Sequence, residues 1–91
     1  MKRSNLIKKL QKEFSNNFFR KSEEFSPEFK DGIWTSGEAT TTVKYENEEF
    51  IVPIFDYNLD KMAPKMEKIL KEAGWDFEWY DLGTVLLYNN I

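Results

Sequence analysis

Gly74-Trp75-Asp76-Phe77-Glu78-Trp79-Tyr80-Asp81-Leu82-Gly83-Thr84-Val85-Leu86-Leu87-Tyr88 is the stretch from which the fold follows. Trp75, Phe77 and Trp79 alternate with Asp76, Glu78 and Tyr80, the period of a strand with one apolar face and one polar face. Asp81-Leu82-Gly83 suits a three-residue hairpin loop with Gly83 at positive φ, which pairs Trp79 with Val85 and Phe77 with Leu87. Tyr80, Leu86 and Tyr88 then share the opposite face with the acids. Just upstream, Met62, Met66, Ile69, Leu70 and Ala73 form an apolar stripe at helical spacing. Asp60 can cap this helix or Pro64 can begin it, and Gly74 supplies a left-handed stop. An apolar helical stripe running directly into an apolar strand face predicts a helix packed on a sheet.

Residues 39 to 45 also alternate, with Ala39, Thr41, Val43 and Tyr45 facing one way and Thr40, Thr42 and Lys44 the other. If Glu46-Asn47-Glu48-Glu49 is a four-residue loop, Tyr45 pairs with Phe50, Val43 with Val52 and Thr41 with Ile54 on the core side. Ile51, Pro53 and Phe55 lie on the other side, and Pro53, which has no N–H to donate, places this strand at an edge or a bulge. At the N-terminus, Leu6, Ile7, Leu10, Phe14 and Phe18 fall at helical spacing, giving an amphipathic helix over residues 4 to 19 whose last turn is weakened by Asn16 and Asn17. The apolar period disappears between residues 20 and 32, where Ser26-Pro27-Glu28 reads as a helix start and Gly32 as its stop. The expected architecture is α+β. It has an antiparallel sheet of four strands, or five if Ile33 to Thr35 joins, and two helices packed on one face in the order α-β-β-α-β-β.

With 91 residues the chain forms one domain, 1–91, because a chain of this size cannot divide its core. An aromatic content of 16% supports that core without disulfides or metal. There is no Cys and no His, so disulfides, thiolate zinc sites, thiol nucleophiles and imidazole proton shuttles are excluded. No cofactor motif is visible, and the expectation is a protein that acts by binding rather than by catalysis. Asp76 and Glu78 invite a metal or acid–base reading, but alternating acids on the wet face of a strand account for them. Lys8, Lys9 and Lys12 interrupt any apolar run after the basic start, so a secretory signal is not expected. No run of 18 apolar residues suggests a membrane span, and a cytoplasmic protein is the default reading.

The segments Gly32-Ile33-Trp34-Thr35-Ser36-Gly37-Glu38 and Gly74 to Tyr88 resemble stretches found in small uncharacterised proteins of bacteriophages and prophages. The resemblance carries no catalytic residues. It implies a setting in the host cytoplasm, in which small acidic proteins dock on host enzymes as anti-CRISPR, antirestriction or other takeover inhibitors.

Charge is distributed unevenly along the chain. Residues 1 to 21 carry Lys2, Arg3, Lys8, Lys9, Lys12, Arg20 and Lys21 against the single acid Glu13, whereas the remainder is strongly acidic. The expected function is occlusion of a host protein. Glu46, Glu48, Glu49, Asp76, Glu78 and Asp81 imitate phosphates before a basic channel, and Tyr80 and Tyr88 act as aromatic anchors. Leu86, with Ile51 and Phe55, extends the apolar part of that surface. Cover of the same face by the first helix, by residues 20 to 32 or by a second copy is the competing arrangement, so both monomer and homodimer stay open. The alternative function is nucleic-acid binding through Lys2, Arg3, Lys8, Lys9 and Lys12. A sequence pI near 5.0 opposes it unless the two charge patches lie far apart.

Overall fold

The computed structural model describes residues 1–90. The chain runs through α1 (Arg3–Glu13), β1 (Phe19–Lys21), α2 (Ser22–Phe25), β2 (Ile33–Ser36), β3 (Thr40–Tyr45), β4 (Glu48–Pro53), β5 (Phe55–Asp56), β6 (Lys61–Met62), α3 (Pro64–Ala73), β7 (Trp75–Asp81) and β8 (Thr84–Asn89). This is an α+β fold built on a four-stranded antiparallel sheet in the order β1-β2-β8-β7. The 33–35 segment joins that sheet as its second strand. In contrast, β3 and β4 form a two-stranded sheet of their own, as do β5 and β6.

The final hairpin has the expected register, Trp79 opposite Val85 and Phe77 opposite Leu87. Its turn differs. A bulge at Tyr80 lets Asp81 pair with Thr84, and Gly83 does not take positive φ. The bulge adds the residue that the loop was expected to contain, so the faces are preserved while the glycine is relieved of the left-handed conformation.

Pro64 begins α3 at its first position and Gly74, at φ 77°, ends it. Asp60 is no cap; it sits at φ 50° in the turn between β5 and β6. Met66, Ile69, Leu70 and Ala73 are buried with Trp75, Val85 and Leu87, and Met62 joins the edge of this core from β6. Each such aliphatic side chain contributes about 1.5–3 kcal/mol by leaving water.

Helix α1 is shorter than its apolar period. Leu6, Leu10 and Phe14 are buried, but the helix stops at Glu13. Gln11 is the cause: its Nε2 donates to the Asn17 carbonyl at 2.7 Å, and its Oε1 accepts the Phe19 N–H at 3.2 Å. The side chain thus satisfies backbone groups that leave the helix, turning Phe19 into the core at the start of β1 and placing Phe18 edge-on to Trp34. Helix α3 lies antiparallel to α1. Lys65 bonds Glu13 at 2.6 Å at one end, and the Met1 ammonium donates to the Ala73 carbonyl at 3.1 Å at the other.

The segment from 20 to 32 takes a different form from the helix expected at Ser26. One helical turn, α2, precedes that serine, and Ser26 to Phe29 form a turn closed by the Phe29 N–H on the Ser26 carbonyl. Phe25 and Phe29 reach the face of the sheet opposite α1 and α3, where both rings meet Tyr80 and Phe25 also meets Trp34. Part of the second sheet face is therefore covered from within the chain.

Candidate functional site

The residues expected to form one acidic and aromatic surface are carried on two separate sheets. Asp76, Glu78, Tyr80, Asp81, Leu86 and Tyr88 belong to β7 and β8, whereas Glu46, Glu48 and Glu49 belong to the β3–β4 hairpin.

On the main sheet, Arg20, Trp34, Leu86 and Glu78 form one cross-strand row on the face opposite the core. Leu86 and Trp34 are half-buried there, and Phe18 and Phe25 pack on the Trp34 ring. Tyr80 is 54% exposed and Tyr88 40% exposed, so both keep an open ring edge. Tyr88 stands opposite Asp76, and partial burial, then the charges of Asp76 and Glu78, raise its phenol pKa above the usual tyrosine value. Neighbouring carboxylates oppose a further negative charge, which keeps Tyr88 a hydrogen-bond donor. Asp76 and Asp81 are partly engaged locally, accepting the N–H groups of Phe77 and Gly83. Ile51 and Phe55 do not belong to this face. Phe55 is buried against Phe77 and Trp79, because Ile54 and Phe55 turn into the core as the chain leaves β4.

The hairpin corrects the sequence reading most. Its loop is two residues, Glu46 and Asn47, at φ 49° and 70°, so Tyr45 pairs with Glu48, Val43 with Phe50 and Thr41 with Val52. Positive φ at both positions is the conformation of the type I′ turn, whose twist matches that of the strands. The register moves by an even number of residues, so the side chains within β3 and β4 keep their expected faces. What changes is that this face is not core: Tyr45 is 68% and Phe50 44% exposed, and Ile51 on the other side is 76% exposed. The hairpin is held at its root, where the Ile54 N–H donates to the Ala39 carbonyl and Asn16 Nδ2 donates to the Thr40 carbonyl. Strand β3 carries threonine at three successive positions and Val43 as its one aliphatic residue. That composition is the signal in the sequence that this strand lacks the side chains to fill a core.

Two open grooves flank the hairpin. One, of about 270 Å³, lies between its root and the end of α1, lined by Phe14, Asn16, Thr41 and Ile51. The other, of about 430 Å³, runs beneath Val43 and Val52 to Leu59, Met62 and Pro64, with Asp56 and Glu67 among its polar lining.

The five basic residues expected to act together are also divided. Lys2, Arg3 and Lys8 line a groove between the start of α1 and β1, joined there by Lys21. Lys9 and Lys12 do not line it; their charge acts on Glu13, whose pKa is lowered chiefly by its bond to Lys65. Among the described residues, no group of three metal-ligating side chains is placed to hold an ion, and no helix is long and apolar enough to cross a membrane.

Comparison with protein-family models, with curated proteins and with solved structures returned no match.

Proposed function

We propose that this chain is a small phage-type inhibitor that binds a host protein and occludes a basic, nucleic-acid-handling surface. The observation that carries the proposal is the β3–β4 hairpin, which presents Tyr45, Phe50 and Ile51 to solvent beside Glu46, Glu48 and Glu49. Exposed aromatic and aliphatic side chains rimmed by acids combine affinity with electrostatic selection of a cationic partner. Tyr80 and Tyr88, with Glu78 and Asp76, form a second and flatter patch of the same chemistry. No catalytic step is assigned. The mechanism is steric: carboxylates take the place of backbone phosphates, and apolar anchors slow dissociation.

The test uses the intact chain immobilised at low salt against a bacterial lysate, beside a Glu46→Lys/Glu48→Lys/Glu49→Lys variant and a Phe50→Ser/Ile51→Ser variant. The expected result is capture of a nucleic-acid-binding enzyme by the unmodified chain, competition for it by added DNA, and loss of capture by both variants. Capture that is indifferent to DNA and to both variants would overturn the proposal.

A further inference from the structure

We propose that the groove between α1 and β1 is a binding site for phosphate groups, independent of the hairpin. Lys2, Arg3, Ser4, Ile7, Lys8 and Lys21 line about 480 Å³ of open groove, with no acid among them. The placement of Lys21 follows from strand geometry. Side chains two apart share a face, so Lys21 projects from the edge strand on the same side as the buried Phe19, which is the side of α1. Arg3 is fixed from behind, its Nη1 donating to Glu23 at 2.7 Å and to the Gly32 carbonyl at 3.2 Å.

Among the described residues the ion pairs are Arg3 with Glu23 and Lys65 with Glu13, so Lys2, Lys8 and Lys21 have no carboxylate partner. Of the acids, Glu23 bonds Arg3, and Glu24 accepts the Lys21 backbone N–H at 3.3 Å. The four cations outnumber them. Three ammonium groups, an oriented guanidinium and the Ser4 hydroxyl are donors suited to phosphate oxygens, and Ile7 offers an apolar contact for an attached group.

Near physiological salt the acidic hairpin does not cancel this field. The groove lies at the N-terminal end of α1, and the hairpin is rooted at the other end, where Asn16 holds Thr40. The 11 residues of α1 separate them by about 16 Å, beyond the Debye length of about 8–10 Å near physiological salt. The separation on which nucleic-acid binding depends is thus present in the fold.

The test is fluorescence anisotropy with a labelled 12-nucleotide oligo-dT at about 20 mM and about 200 mM salt, with inorganic phosphate as competitor. Lys8→Glu/Lys21→Glu is compared with Lys9→Glu/Lys12→Glu, which makes the same change of charge outside the groove. The expected loss is about tenfold or more for the groove pair and no more than about twofold for the control pair, with a salt slope shallower by about 1.4 for two lost contacts to a single strand. On the unmodified chain, the backbone amide resonances of Ser4, Lys8 and Lys21 should shift as ligand is added, a readout independent of how the variants fold. Tighter binding of the oligonucleotide than of phosphate identifies a nucleic-acid backbone as the source, and equal binding identifies a free phosphate. Absence of binding at low salt, equal losses in the two pairs, or shifts confined to other residues would overturn the proposal. The hairpin residues are unchanged in every arm, so the outcome is separate from the inhibitor reading.

Discussion

Ser22 and Gly32 close the loop between them with two reciprocal hydrogen bonds. The Ser22 N–H donates to the Gly32 carbonyl at 3.0 Å, and the Gly32 N–H donates to the Ser22 hydroxyl oxygen at 2.9 Å. The same hydroxyl donates to the Phe29 carbonyl at 2.6 Å. A Cβ on Gly32 would stand 2.6 Å from the Leu87 carbonyl oxygen, a backbone atom that cannot move aside. This clasp sets the path that carries Phe25 and Phe29 onto the sheet. Ser22→Ala leaves the buried Gly32 N–H and the part-buried Phe29 carbonyl without their partner and should cost about 1–3 kcal/mol in denaturant unfolding. Gly32→Ala should cost at least as much, because it displaces β8. A neutral Ser22→Ala would show that the loop is held by its aromatic rings alone.

Adjacent stretches of apolar residues should respond in opposite ways to truncation. Leu70→Ala or Ile69→Ala removes a buried side chain from the α3 stripe, at an expected cost of about 2–5 kcal/mol. Phe50→Ser and Ile51→Ser, on exposed positions, should each stay within about 0.5 kcal/mol. Thermal and denaturant unfolding measure both. A large loss at Ile51 would place the hairpin against the body of the protein.

Stability should depend on Glu23 at acid pH. Its carboxylate accepts the Asp31 N–H at 3.0 Å, and that bond, then its own backbone N–H, with Arg3 adding to them, lowers its pKa from 4.5 to about 2. Between those values the unfolded chain holds a proton that the folded chain does not, so stability rises with pH through this window. The contribution is complete above the unfolded value and lost as pH falls toward about 2. In Glu23→Gln the slope of stability against pH in this window should be shallower, as followed by melts from about pH 5 downward. An unchanged slope would remove the carboxylate from the account.

The parts of this fold legible in the sequence are those in which one period governs a whole element. Trp75, Phe77 and Trp79 specify a strand face, and Met66, Ile69, Leu70 and Ala73 specify a helical stripe. The helical stripe and Trp75 are buried, and Phe77 and Trp79 are partly buried against the same core, on the faces the spacing requires. The missed features lie where no apolar period runs. Gln11 ends α1 by bonding residues 17 and 19, which no apolar pattern encodes. Strand β1 has three residues, too few to show alternation, and Glu46-Asn47 lacks the glycine that usually marks a type I′ turn. The candidate surfaces were half legible for the same reason. Their residue types were visible, but Lys21 could join Lys8 only once Phe19 and Lys21 were known to share a strand.

Among the described residues, strands β3 and β4 pair as strands only with each other, while the main sheet pairs β2 with β8 across more than half of the chain. Opening the hairpin therefore requires no rupture of that long-range pairing. Its amides should exchange with solvent through local fluctuations, while those of β2 and β8 wait for global unfolding. The hairpin can change twist or reach to suit a surface without drawing on the cooperative stability of the rest, so tolerance of shape and permanence of fold reside in different segments of one short chain.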